Sequence, residues 1–201
     1  MKKIVLLLFA ILPYLCAMSQ QDTEGYFDIT QKQDNGCTLR HLQTPYKHIR
    51  KKAIVEPENL DTDIFVSYYN ILTSETFKNG TRKVLYKIGF SIEDHIDFSI
   101  IKNYRLLIKL NNGQTIILRT PKDVLTQYLS DDKYHASVSY IINAQQLNNI
   151  IKIGASKFRI ETVGRNLDIE PDFDIAEVTK EYKTGLYNRL QNKKDSFLSD
   201  F

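Results

Sequence analysis

The stretch Tyr104–Arg119 constrains this chain most, because two apolar runs, Leu106–Leu110 and Thr115–Leu118, meet at Asn112-Gly113. A type I′ turn needs positive φ at both central positions, and Asn-Gly adopts this more readily than other pairs, so the stretch reads as a β-hairpin. A two-residue turn sets Asn111 against Gln114, Leu110 against Thr115, Ile108 against Ile117 and Leu107 against Leu118. In that register both faces are largely apolar, as expected of a central element covered on two sides rather than an edge.

The flanking sequence carries further strand signals. Ile64–Leu72 is rich in β-branched and aromatic residues and apolar on both faces. After a second Asn-Gly turn at Lys78–Thr81, Arg82–Ile92 alternates, with Val84, Tyr86, Ile88, Phe90 and Ile92 on one face. Together they predict a long hairpin. Glu93–Asn103 then connects the two hairpins, with room for a short strand over Ile96–Ile101. Pro121, with Thr120 as N-cap and Asp123 in the first turn, marks a short helix anchored by Val124, Leu125 and Tyr128. His135–Ile142 alternates again. Asn143 is placed to cap a helix over Ala144–Ile153, with Leu147, Ile150 and Ile151 as its buried stripe and Gly154 beyond its end. Ser156–Val163 returns as a strand that Gly164 and Arg165-Asn166 end. The two strands around that helix can be parallel or antiparallel.

Pro171–Lys194 predicts a closing helix with Val178, Tyr182, Leu186 and Leu190 on one stripe. Asp172 and Asp174 suit its positive end and Lys193-Lys194 its negative end. Gly185 costs about 1 kcal/mol there unless a close contact requires it. The sum is a mainly β fold, sandwich-like or α+β, of antiparallel hairpins with one inserted short helix and a C-terminal amphipathic helix.

The 201 residues suffice for one domain with a substantial core. Residues 1–19 read as a signal peptide: Lys2-Lys3, then apolar Ile4–Leu12 broken by Pro13, then Ala17-Met18-Ser19 for cleavage before Gln20. The apolar run is shorter than the roughly 20 residues that span a bilayer. Tyr14 and Leu15 ahead of Cys16 fit a lipid-attachment site poorly. Residues 20–45 are polar enough for a flexible leader, with an extended piece at Tyr26–Ile29, and within the ambiguous stretch Gly36–Lys47 Pro45 argues against any central strand. Residues 46–201 then form the domain. They open with a short strand or arm at Lys47–Val55, a basic cluster of Lys47, Arg50, Lys51 and Lys52, and a turn at Pro57–Asp61.

Cleavage removes two of 27 basic residues and none of 24 acidic ones, leaving a surplus of one and little case for nucleic-acid binding. Nor is a transmembrane segment left. Cys37 is then the one remaining cysteine, so no internal disulfide forms, and a small buried apolar role or an intermolecular bridge are its readings.

Three groups of residues could carry chemistry. Glu93, His95 and Asp97 share a face if extended, and two carboxylates with an imidazole can relay a proton or hold a metal. Asp168, Glu170, Asp172 and Asp174 alternate as oxygen ligands for calcium would, although no EF-hand spacing surrounds them. Tyr68, Tyr69, Tyr128 and Tyr134 could offer a stacking surface. Cys37 with His41 and His48 lacks any nucleophile-elbow pattern, and there is no P-loop or dinucleotide fingerprint, so the sequence calls for no cofactor.

The runs Leu-Leu-Ile-Lys-Leu-Asn-Asn-Gly-Gln-Thr-Ile-Ile-Leu, Ser-Tyr-Ile-Ile-Asn-Ala-Gln-Gln-Leu and Lys-Phe-Arg-Ile-Glu-Thr resemble small exported β-rich proteins of Bacteroidetes over residues 63–163. The resemblance implies a Gram-negative envelope location, periplasm or cell exterior, and no particular activity. The expected function is a non-enzymatic binding or interaction module for an envelope protein or a glycan. The alternative is a small exported hydrolase built on Glu93, His95 and Asp97, with or without a metal.

Overall fold

A computed structural model describes residues 20–21, 25–33, 36–49, 54–56, 64–130 and 132–196. The signal peptide expected at 1–19, the basic residues Arg50, Lys51 and Lys52, and the turn at Pro57–Asp61 lie outside them. Among the described residues the chain is mainly β, with two helices and two facing sheets. The larger, curled sheet holds β1 (Gln20–Gln21), β2 (Phe27–Lys32), β3 (Thr38–Gln43), β6 (Phe65–Thr76), β7 (Arg82–Asp94), β13 (Tyr134–Ile142) and β12 (Gln127–Tyr128), in that spatial order, and β4 (Lys47–Ile49) pairs with the start of β6. The smaller sheet runs β10 (Thr115–Arg119), β9 (Arg105–Leu110), β14 (Ala155–Thr162), β15 (Arg165–Ile169) and β5 (Ile54–Glu56). A two-stranded ribbon joins β8 (Ser99–Ile100) to β11 (Val124–Leu125). Every pairing is antiparallel.

The core lies between the sheets. Tyr68 of β6 stacks on Phe158 of β14 at 6.0 Å, and Phe158 meets Phe90 of β7 edge-on at 5.1 Å. The alternation read from Arg82–Ile92 and His135–Ile142 holds: Tyr86, Ile88, Phe90, Ile92, Ala136, Val138, Tyr140 and Ile142 are buried. Helix α1 (Ala144–Ile153) begins on a reciprocal cap between Asn143 and Gln146, buries Leu147 and Ile150, and carries the chain from the larger sheet to the smaller one. Helix α2 (Ile175–Ser196) closes one side, with Val178, Tyr182, Leu186 and Leu190 all buried. Gly185 has its reason here, since a Cβ at that position would collide with the Tyr26 hydroxyl. No helix among the described residues is long and apolar enough to cross a membrane.

The opening hairpin forms, but one residue out of the expected register. Ile116 pairs with Ile108 and Leu118 with Leu106, because the loop has three residues, Asn111 to Gly113. Leu110 N–H donates to Gln114 O, Gly113 N–H donates to Leu110 O, and Gly113 alone takes positive φ, at 85°. Asn112 spends its side chain accepting from Gln114 N–H rather than adopting positive φ. Phe77–Thr81 shows the same three bonds around Asn79-Gly80. The slip sorts the hairpin into one buried face (Leu106, Ile108, Leu110, Ile116, Leu118) and one open face (Leu107, Lys109, Thr115, Ile117, Arg119), with β10 at a sheet edge. Two-sided burial is therefore corrected to one-sided.

Three other readings change. Residues 27–32 and 38–43 are not a loose leader but β2, which extends the piece expected at Tyr26–Ile29, and β3, packed into the sheet by Leu42 and by the bidentate Arg40–Asp28 pair; β3 is an inner strand between β2 and β6 despite Pro45, because the proline falls after its end, between β3 and β4. No helix follows Pro121. Thr120 donates instead to Ile101 O, Asp123 accepts from Lys102 N–H, and Val124–Leu125 pairs with β8. Past Gly164 the chain turns into β15 instead of ending its strands, and Leu167 and Ile169 enter the core. Cys37 is buried.

Candidate functional site

The residues singled out from sequence disperse in the fold. Glu93 ends the outer face of β7, half-buried; His95 is exposed on the bend after the strand; Asp97 is exposed and accepts from the Thr126 hydroxyl. The chain stops being extended at Asp94, so the common face expected of Glu93, His95 and Asp97 is not formed. Asp168 sits on β15, where the Arg159 guanidinium, at 2.5 and 2.7 Å, and the Lys157 ammonium, at 2.6 Å, hold it. These partners, Arg159 foremost, lower the Asp168 carboxyl from its usual value against the opposing effect of burial. Asp174 accepts from Ala176 N–H at 2.7 Å and so caps α2, while Glu170 and Asp172 are exposed. Among the described residues no three His, Cys, Asp or Glu side chains gather as a metal would require.

The tyrosines divide. Tyr68 is fully buried, its hydroxyl bonded to Thr179 at 2.9 Å, so it is core and not a stacking surface. Tyr134 is half-buried and packs edge-on, at 5.5 Å, against Tyr128, which is 61% exposed. Tyr69 points the other way from Tyr68, onto the outer face of the larger sheet.

That outer face is the most organised polar surface among the described residues. Strand register aligns His48, Ser67, Ser91 and Ser137 in one row across β4, β6, β7 and β13. His48 Nδ1 is hydrogen-bonded to Ser67 Oγ at 2.7 Å, and Ser91 Oγ to His135 Nε2 at 2.9 Å. The next row aligns Tyr69, Gly89 and Ser139. Gly89 lets the Tyr69 ring lie flat across β7, since any Cβ there would strike the ring. The Tyr69 hydroxyl thereby reaches Ser137 on β13. Burial pushes the Tyr69 phenol up to about 12, Tyr46 adding to the shift and the bond to Ser137 opposing it. Tyr46, 42% exposed, packs edge-on against Tyr69 at 5.1 Å. On the other side of Ser67 along β6, Phe65 is 56% exposed, with the Lys133 ammonium 5.8 Å from its ring centre. Glu93 faces His135 directly across the ladder, yet the two side chains share no hydrogen bond among the described contacts.

Comparison with family models, with curated proteins and with solved structures found no match.

Chemically, the face offers hydroxyls and imidazoles bracketed by two exposed aromatic rings. Alternation along Arg82–Ile92 in the sequence puts Gly89 and Ser91 on the face opposite Phe90. The strand pairing that brings Ser67, His48 and His135 beside them is not written in that alternation. Ser67 and Ser91 fall at the same alternation phase of two strands already expected to form one hairpin, so that much of the row was within reach.

Proposed function

We propose that this protein is a non-enzymatic binding module that takes a neutral glycan on the outer face of its larger sheet, and that it works in the cell envelope. The carrying observation is the row of hydrogen-bonded serine and histidine side chains between Tyr46 and Phe65. Sugar rings present apolar faces edged by hydroxyls, and exposed aromatic rings flanking neutral donors and acceptors meet both requirements. The envelope location rests on residues 1–19 and on the resemblance to exported β-rich proteins of Bacteroidetes. No cofactor is called for.

The Ser91–His135 contact is the one observation favouring a hydrolase, since a nucleophile needs a base at that distance. Two features weigh against it. Ser91 lies mid-strand, where backbone N–H groups on both sides serve the β6–β7–β13 ladder and leave no oxyanion donors. His135 also lacks an acid bonded to its second nitrogen among the described contacts.

Calorimetric titration against a panel of neutral oligosaccharides tests the reading. Tyr46→Ala and Phe65→Ala should each weaken binding about fivefold, from roughly 1 kcal/mol of ring stacking. Failure of every neutral sugar to bind, or unchanged affinity in both variants, would remove the proposal. Ester or glycoside turnover abolished by Ser91→Ala would replace it with the hydrolase.

A further inference from the structure

We infer that the outer face of the five-stranded sheet is a docking surface for an anionic lipid membrane. It lies on the opposite side of the molecule from the serine–histidine row, because both sheets turn their inner faces to the same core.

The one-residue slip of the opening hairpin creates this face. Register places Thr115, Lys109 and Lys157 in one row, Ile117, Leu107, Arg159 and Asp168 in the next, and Arg119 and Arg105 in a third, where Arg105 bonds Glu161 of β14. Across β10, β9, β14 and β15 the face therefore carries five cations. Two carboxylates answer them. Glu161 is taken by Arg105, through the side chain at 2.6 Å and the backbone N–H at 2.9 Å. Asp168 is shared by Arg159 and Lys157. Lys109 is exposed with no carboxylate partner among the described residues, and Arg119 is exposed with its guanidinium donating to Asn103 O. Over those four strands the surplus is three positive charges, reduced to two by Glu56 of β5, which register sets in the third row beside Asn166, on one sheet face of a chain whose sequence 20–201 is nearly neutral.

The middle row is apolar at its exposed end. Ile117 is 48% exposed and Leu107 beside it is half-buried. Two residues along a strand span about 6.8 Å, so the cations stand one such step to either side of Ile117 and Leu107. An acidic polymer would engage the charges and gain nothing from the aliphatic row. A lipid surface uses both, its phosphates meeting the lysine and arginine heads while the aliphatic side chains enter the interfacial layer. The cations are spread over three rows and three strands rather than gathered around one point, which suits diffuse attraction to a charged plane.

Vesicle flotation of the full chain tests this, comparing phosphatidylcholine alone with mixtures containing phosphatidylglycerol. Binding should rise with the anionic fraction and fall at least tenfold between low salt and 0.5 M NaCl, where the Debye length is only about 4 Å. Lys109→Glu with Arg119→Glu should lower anionic-vesicle binding at least tenfold. Ile117→Ser should lower it severalfold while leaving binding to heparin, a soluble polyanion, unchanged. All three positions are exposed, and thermal melts confirm that the variants are folded. Equal vesicle binding by wild type and the double variant at every lipid composition would overturn the inference. So would heparin binding without any anionic-vesicle preference, which would make the face a site for acidic polymers. Tyr46→Ala lies on the far face and should leave vesicle binding intact, so this result and the glycan result stand or fall separately.

Discussion

Asp94 and Arg165 form the one ion pair among the described residues in which both side chains are almost wholly withdrawn from water, at 0% and 7% exposure. Asp94 also accepts from Ile96 N–H, and the guanidinium lies 5.7 Å from the centre of the Phe98 ring, while Arg165 Nε and Nη1 are buried without a partner. A buried pair of this kind contributes little net stability, but removing one member strands the other charge. Arg165→Met alone should therefore cost about 3–5 kcal/mol, and Arg165→Met with Asp94→Leu should recover most of it. Urea midpoints of these two variants and of Asp94→Leu alone decide this; additive single losses would contradict it. The partner was hidden in the sequence because 71 positions separate the two residues. Half of the signal was present: Asp94 continues the Tyr86–Ile92 alternation onto the buried face, where an acid needs a cation. Its charged neighbours Glu93, His95 and Asp97 drew attention to the wrong side of the strand.

At the scale of elements, the Tyr104–Arg119 hairpin shows how one loop residue decides which side chains matter. In the observed register Ile108 is fully buried and Leu107 faces outward, half-buried. Ile108→Asp should abolish folding, at more than about 4 kcal/mol, whereas Leu107→Asp should cost roughly 1 kcal/mol and Lys109→Ala almost nothing. Similar melting temperatures for the two aspartate variants would show that the two-residue turn had been right after all. Strands, helix caps and the stripe of α2 were legible because each is written in local periodicity: Asn143 with Gln146, or Val178 to Leu190. Register was not, because Asn-Gly serves both a two-residue turn and a three-residue loop ending in Gly, and sequence alone does not choose. β3, β15 and the second half of β2 were missed for a related reason. Their inward positions carry Arg40 and Arg165 among apolar residues, so the alternation is broken by side chains whose partners, Asp28 and Asp94, lie on other strands.

At the scale of the whole molecule, the two outer faces have opposite characters, one neutral and hydroxyl-rich, the other basic with an aliphatic row. If both proposals hold, the domain lies on a lipid surface by its smaller sheet and presents the larger one outward. What keeps the sheets apart and aligned is α2. Its buried Ile175, Val178, Tyr182, Leu186 and Leu190 are worth about 2 kcal/mol each, a sum on the scale of a whole domain's stability. A chain ending at residue 174 should therefore be protease-sensitive and lack a cooperative melt; a folded truncation would show that the sheets suffice. The helix also fastens the beginning of the fold to its end. Arg40 donates to the carbonyl oxygens of Arg189 and Leu190, contacts spanning 149 and 150 positions, and Tyr26 fits only because residue 185 is glycine. Such a chain has no means of closing while its last turns are still inside the ribosome. Until the segment carrying Gly185, Arg189 and Leu190 has been made, the strands that open the fold have no helix to fasten to.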